Sequence, residues 1–395
     1  MMIDELRIKY NKILKITTST YKRYFFQKVD FDNKLIGILG ARGIGKTTFM
    51  LQYLREFDFD KTLYFSADSI TASGVKLYAI AEEFSRYGGE ILAIDEIHKI
   101  KNFEAELKEI YDFLDIQVLF SGSSAISLEH NKADLSRRAV IYRFRGLSFR
   151  EFLELKLNKK FSVLELDDIL SDHANLAHGI TREIKPFAYF AEYLEYGYYP
   201  YYFETPNSYK FKVEEAINTV IENDLLYVFN IDISNINKLK QLVKLLCLSK
   251  PYELNISNLS ADIGITRETL YRYIHYLVLG NVLMRVDRLH SKQNIFQKPS
   301  KLYLDNPNLS YTFCSQVDKG TLREQFFANA LQVTNHINYS KVGDFMVDEK
   351  YIFEIGGKNK SFEQIKDLKN SFVVADDIEI GIGNKIPLWL FGFLY

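Results

Sequence analysis

Short apolar runs and amphipathic stretches alternate through the first 150 or so residues. Residues 34–39 form a strand-length apolar run entering a glycine-rich turn, and 48–56 then shows helical spacing. The runs 62–66, 90–94, 117–120 and 140–144 predict four more strands. Helices are expected over 75–87 and 103–114, the second with Leu107, Ile110, Tyr111 and Leu114 on one face. Strands alternating with helices imply a parallel sheet with right-handed crossovers, so an α/β domain is expected over about 20–150.

From 148 to about 250 the pattern turns helical, with candidates at 149–155, 185–196, 212–223 and 236–248. The aromatic stretch 196–203, broken by Gly197 and Pro200, reads as a turn between two of them. Residues 251–288 predict a compact helix-turn-helix with a trailing hairpin. Its helices, 254–264 and 266–279, join at Gly264-Ile265, with Ser257 and Thr266 as N-caps. A strand-rich α/β pattern returns over 300–395 and ends in the apolar run 386–395, which reads as a buried final strand. The expected domains are 1–147, 148–250, 251–298 and 299–395.

Composition narrows the function classes. Apolar residues make up 47% of the 395, enough for packed cores, and the net charge of −1 removes any global basic field for nucleic acid. Cys247 and Cys314 are too few and too far apart to read as a disulfide framework, and they lack metal-site spacing, which fits a reducing cytosol. The first 15 residues are charged throughout, without an apolar core of signal-peptide length. The last ten residues fall far short of the ~20 that a membrane helix needs. A cytoplasmic protein without a membrane segment is expected.

The turn after the first strand carries the chemistry. Gly40-Ala41-Arg42-Gly43-Ile44-Gly45-Lys46-Thr47 matches GxxxxGK[ST] in full, between a strand and a helix. The three glycines let backbone N–H groups curl around phosphate oxygens, and the helix N-terminus adds partial positive charge. Lys46 is expected to reach the β- and γ-phosphates, and Thr47 to offer its hydroxyl to Mg²⁺; Thr48 completes the ATP-binding run. Asp95, ending the apolar run 91–94, is the second candidate magnesium ligand, and Glu96 the candidate base for the attacking water. His98 reads as a neighbour. Ser121 ends the next strand and is a candidate γ-phosphate sensor, with Ser123 and Ser124 as rivals. Arg137 and Arg138 precede the fifth strand, and one of them could supply transition-state charge in cis or to a neighbouring subunit.

Two other nucleotide readings are weaker. Asn131-Lys-Ala-Asp134 spells the guanine-reading NKxD, but about seven residues beyond its strand, and Asp95-Glu-Ile-His replaces the DxxG of a GTPase switch. A small-molecule kinase would waste ATP on a water base at Glu96.

These motifs carry a resemblance. Residues 35–48, Ile94-Asp-Glu-Ile-His-Lys, Phe120-Ser-Gly-Ser-Ser, Asp134-Leu-Ser-Arg-Arg138 and Gly146-Leu-Ser-Phe-Arg-Glu-Phe152 together resemble AAA+-type ATPases of bacteria and archaea, over the whole chain. The resemblance implies a P-loop NTPase core, a helical region with a winged helix, and a small α/β domain related to PD-(D/E)XK nucleases. It makes Arg138 the better match to the family's arginine, Arg137 standing where the family usually has glycine. It also implies a C-terminal metal cluster of Glu324, Asp344 and Glu354, whose lysine belongs two residues after the last acid. Gly356 stands there, and Lys358 is the nearest substitute in the run. A degenerate nuclease fold kept for contacts and a surviving nuclease are both open. The winged helix either reads DNA, through Arg267, Tyr271 and Arg272, or packs against other domains; Glu268 at the start of that helix thins its basic character. A protein client and a homo-oligomer are the remaining expected partners.

Overall fold

The computed structural model describes residues 2–17, 20–69, 76–122, 135, 137–229, 231–248, 251, 254–289 and 296–395. The chain divides into two compact units, Met1–Arg145 and Gly146–Tyr395.

The first unit opens with helix α1 (Met2–Ile16), which the sequence reading did not anticipate. Its stripe of Ile3, Leu6 and Tyr10 is buried, and the Tyr10 hydroxyl pairs with Thr62 Oγ1 at 2.9 Å. Five parallel strands follow: β1 (Leu35–Leu39), β2 (Thr62–Ser66), β3 (Ile91–Asp95), β4 (Gln117–Gly122) and β5 (Ala139–Arg143). Between them run α2 (Lys46–Leu54), α3 (Leu77–Arg86) and α4 (Phe103–Phe113). The sheet order is β2-β3-β4-β1-β5, so β1 lies between β4 and β5. All five residues of β1 and of β3 are buried, as continuous apolar runs covered on both faces require. This is the parallel α/β core the sequence predicts.

The second unit begins with α5 (Phe149–Leu157), α6 (Leu166–Glu183) and α7 (Phe187–Tyr196). Ser148 and Glu151 form a reciprocal capping box at the start of α5. Next comes α8 (Tyr209–Thr219), continued by a π-helical stretch, Val220–Leu225. After it, α9 (Ile236–Cys247) leads to α10 (Ile256–Ile263) and α11 (Arg267–Leu279), which form the expected helix-turn-helix. Gly264 ends α10 at φ +71°, and Thr266 caps α11 by accepting from Thr269 N at 3.1 Å. The cap of α10 is Asn255, not Ser257: its side-chain oxygen accepts from both Ser257 N and Asn258 N at 3.1 Å. Strands β6 (Leu283–Val286) and β7 (Lys301–Leu304) pair antiparallel behind it.

Helices α12 (Pro307–Phe313) and α13 (Lys319–Leu331) lead into the last sheet. Its strands are β8 (Ile337–Tyr339), β9 (Phe345–Val347), β10 (Tyr351–Gly356), β11 (Ser371–Ala375) and β12 (Lys385–Pro387), ordered β12-β11-β10-β9-β8. β10, β11 and β12 are parallel; β8, β9 and β10 are antiparallel. The final apolar run is not the single strand expected. Only Lys385–Pro387 pairs, and Leu388–Phe393 coils into a 3₁₀ helix whose every residue is buried. An apolar run fits any buried segment, and here Phe391 packs 4.9 Å from Phe327 between ring centroids.

The cysteines also depart from expectation. Cys247 ends α9, Cys314 follows α12, and the fold brings them together as a disulfide with their Cα atoms 5.2 Å apart. Packing of α9 against α12 closes the 67-residue separation, which linear spacing could not indicate. Among the described residues, no helix is long and apolar enough to cross a membrane.

Candidate functional site

β1 ends at Leu39 and the chain turns at once. A Cβ on Gly40 would lie 2.1 Å from the Phe144 carbonyl oxygen, so any side chain there would push the turn away from the sheet edge. Gly45 sits at φ +98° as the N-cap of α2, a conformation that L side chains rarely adopt. The first N–H groups of α2 have no intrahelical acceptors and carry the positive end of its dipole. Lys46 is buried, and its ammonium donates to the carbonyls of Gly40 at 3.0 Å and Ala41 at 2.8 Å. The turn is thereby closed on its own lysine.

Asp95 ends β3 and is 5% exposed. Three hydroxyls converge on it: Thr47 and Tyr64 (3.0 Å) donate to Oδ2, and Ser121 donates to Oδ1. Register brings them there, since β3 and β4 are paired neighbours and Ser66 stands level with Asp95. Tyr64, two residues earlier on β2, reaches across the strand gap. Sequence reasoning missed it, because the contact spans 31 residues and two strands. Burial, and then the charge of Asp95, pushes the Tyr64 phenol far above its ordinary value, so it serves as a donor throughout the accessible pH range. Removing that donor with Tyr64→Phe is expected to destabilise the first unit by about 1.5–3 kcal/mol, the range for hydrogen bonds to charged groups. Urea denaturation checks this, and an unchanged midpoint would show that the bond carries no net stability.

Thr47 and Asp95 thus lie side by side with only oxygen donors, a set that fits a hard divalent cation such as Mg²⁺. Glu96 follows in the left-handed region at φ +54°, which costs about 1 kcal/mol or more in a non-glycine residue. Its N–H donates to Asp95 Oδ1 at 3.1 Å and Ser121 Oγ at 3.3 Å, which offsets that cost and fixes the turn. Buried His98 brings Nδ1 to 3.5 Å from Glu96 Oε2. Lys46, Thr47, Asp95, Glu96 and Ser121 therefore gather at the C-terminal ends of β1, β3 and β4. Ser123, Ser124 and the NKxD run 131–134 lie outside the described residues.

Arg138 does not join them. Its guanidinium grips Asp112 of α4 through Nε and Nη2, both at 3.1 Å. Ala139 pairs with Leu35, so Arg138 stands at the N-terminal end of the sheet. The P-loop leaves the other end, about 13 Å along β1 at ~3.3 Å per residue. Of the two alternatives left open above, that register favours action on a neighbouring subunit over action in cis. Arg137 is exposed beside it.

The C-terminal acids do gather. Glu324 on α13, Asp344 just before β9 and Glu354 on β10 form one buried or part-buried cluster with two lysines. Lys358 is not one of them. β10 ends at Gly356, so the expected shared strand face is not formed; Lys358 is exposed in the following turn, its carbonyl accepting from Lys385 Nζ at 2.6 Å. Lys360 instead folds back and pairs with Glu354. Lys301, from β7, donates to Glu324 Oε2 at 2.7 Å and Asp344 Oδ1 at 2.9 Å. Burial raises the carboxyl pKa of Glu324 and of Glu354, with Lys301 and Lys360 respectively opposing it. An ammonium thus stands between the carboxylates that the nuclease resemblance assigns to a metal, and the residues present do not fit Mg²⁺ there.

Comparison with known proteins places this geometry. Residues 32–153 match a family model described as an AAA domain, which covers the P-loop, Asp95, Glu96 and Ser121. Residues 188–314 match a domain of unknown function, DUF8612, which runs from α7 through the helix-turn-helix to α12. An uncharacterized protein of Methanocaldococcus jannaschii is 27% identical, the alignment covering 98% of this chain and 90% of that one. A structure of C. elegans PCH-2 aligns at 16% identity with a TM-score of 0.26, covering 46% of this chain and 56% of that one, a likeness too slight to carry an argument. The AAA match and the five-stranded parallel sheet agree on a nucleotide-binding P-loop core.

Proposed function

We propose that the chain binds and hydrolyses ATP, and that nucleotide occupancy drives a conformational switch of the attached helical and winged-helix regions. The observation that carries this is the convergence of Thr47, Ser121 and Tyr64 on Asp95, beside a P-loop whose lysine is already buried in the turn.

In this reading Lys46 exchanges its two carbonyl acceptors for phosphate oxygens. The N–H groups at the start of α2 hold the β-phosphate, and Thr47 and Asp95 would hold Mg²⁺. That ion neutralises phosphate charge when bound. Glu96 orients a water against the γ-phosphorus and takes its proton as the new P–O bond forms. The bond to the β–γ bridging oxygen breaks, leaving ADP and phosphate. Ser121 sits between Asp95 and the Glu96 backbone, placed to couple γ-phosphate loss to movement of that turn.

Arg138 acts in this scheme only in trans, on a neighbouring copy. Turnover per chain should then rise with protein concentration, and Arg138→Ala should slow it more than Arg137→Ala, within the 10³–10⁵ or so that such an arginine can contribute. Equal loss in the two variants, or turnover indifferent to concentration, would remove the assignment.

We further propose that the second unit comprises a helical region to 250, a winged helix over 251–298 and a nuclease-like domain from 299. On α11, Arg267 and Arg272 are both exposed, and Arg272 pairs with Glu268 at 2.6 Å, whose charge offsets part of that basic face. This favours a protein-directed switch over a DNA reader. Turnover measured with ATP or GTP, with and without duplex DNA, tests the reading. ATP-selective turnover indifferent to DNA supports it; stimulation by DNA would turn it toward DNA processing, and GTP preference would sink the nucleotide assignment.

A further inference from the structure

The carboxylate cluster in the second unit carries its own cations. Lys301 is 2% exposed, and its ammonium lies between Glu324 and Asp344 at 2.7 and 2.9 Å. Glu324 Oε2 also accepts from the Tyr303 hydroxyl at 2.5 Å, and Asp344 Oδ2 accepts from Ile355 N at 2.8 Å. Lys360 neutralises Glu354 from the turn after β10. Its methylene stem lies across Gly356: a Cβ on that glycine would come within 2.7 Å of Lys360 Cβ, Cγ and Cδ. Glycine at 356 is what lets the later lysine reach back. Three acids thus face two ammonium groups delivered from outside the β9–β10 hairpin.

We propose that Lys301 is a built-in substitute for a divalent cation, so that wild-type protein holds no metal at this cluster and removing the Lys301 charge opens a divalent-cation site on Glu324 and Asp344. The chemistry is direct. A divalent ion seated between these two acids would meet a buried ammonium only a few ångströms away, and like charges at that range repel strongly in a poorly solvated interior. Expelling Lys301 would also strand its charge, because its two acceptors are the same two carboxylates. Conversely, without the ammonium the two acids become a buried like-charge pair, which needs a cation or a proton. The cluster joins β7, α13 and the start of β9 as an electrostatic clamp, and it does so without a metal that could be exchanged.

Mn²⁺ titration of the nucleotide-free full chain, followed by electron paramagnetic resonance, tests this. An Asp95→Asn background removes the P-loop carboxylate from the count. The parent should show no Mn²⁺ binding that Glu324→Gln alters. Lys301→Met, which keeps length and removes charge, should gain one site about tenfold or more tighter than any in the parent, lost again on adding Glu324→Gln. Mn²⁺ bound by the parent and released by Glu324→Gln would overturn the proposal, as would a folded Lys301→Met chain with no new site. Should Lys301→Met fail to fold, its rescue by Mn²⁺ or by Glu324→Gln supports the proposal, and failure of both rescues refutes it.

Discussion

Lys46→Ala should abolish measurable ATP binding while leaving the chain folded. Lys46 contributes the buried ammonium of the turn, beside its backbone N–H donors. Two charge-assisted bonds to phosphate oxygens at about 1.5–3 kcal/mol each correspond to roughly 10²–10⁴ in affinity. The folded chain loses less. Two acceptors of that ammonium are the carbonyls of Gly40 and Ala41, in a short turn beside the α2 N-terminus where water can replace a donor. Fluorescence titration with a labelled ATP analogue, alongside thermal unfolding of the same samples, separates the two effects. Unchanged affinity in a folded variant would refute the phosphate site, and with it everything argued about Asp95 and Glu96. Lys46→Arg is not a conservative control, because a planar five-donor fork cannot follow the path of a compact ammonium into this turn.

The P-loop was legible because its requirements are local. Eight contiguous residues fix the turn, the cap of α2 and the lysine, and the apolar run of β1 announces what precedes them. Asp95 and Ser121 were legible one step further out, since each ends an apolar run and a parallel sheet brings strand ends together. Tyr64 was not. It lies inside its strand, and only the β2–β3 register aims it at Asp95. The position of Arg138 was partly readable: a residue just before a strand stands at that strand's start, whereas the P-loop follows the end of β1, so parallel pairing already puts them at opposite edges. In the C-terminal cluster the acids came from the nuclease resemblance, and the lysine was sought in the same motif. Lys301 arrives from a strand 23 residues before Glu324, and Lys360 from a turn after β10 has ended. Spacing along one strand cannot reveal a group supplied by another. The disulfide is the same lesson, with helix packing bringing Cys247 to Cys314.

Glu96→Gln should retain ATP binding and lose about 10²–10⁴ in turnover, the usual worth of a positioned general base. The substitution is nearly isosteric, and the groups that hold position 96 are backbone: its N–H bonds to Asp95 Oδ1 and Ser121 Oγ survive the change. The left-handed turn at φ +54° should therefore persist, and with it the placement of Asp95. What is lost is the ability to accept a proton, because an amide oxygen is far less basic than a carboxylate. His98 Nδ1, 3.5 Å from Glu96 Oε2, would then face an amide in place of a carboxylate. Binding should be measured under the conditions of the turnover assay, so that a fall in rate at saturating ATP is separated from a loss of affinity. Near-normal turnover at saturation would remove Glu96 as the base. Lost binding would instead mean that position 96 shapes the phosphate site through Asp95 and Ser121. Retained binding with slow hydrolysis would yield a chain held in its ATP-bound state, the form in which an ATP-dependent movement of the second unit should be largest.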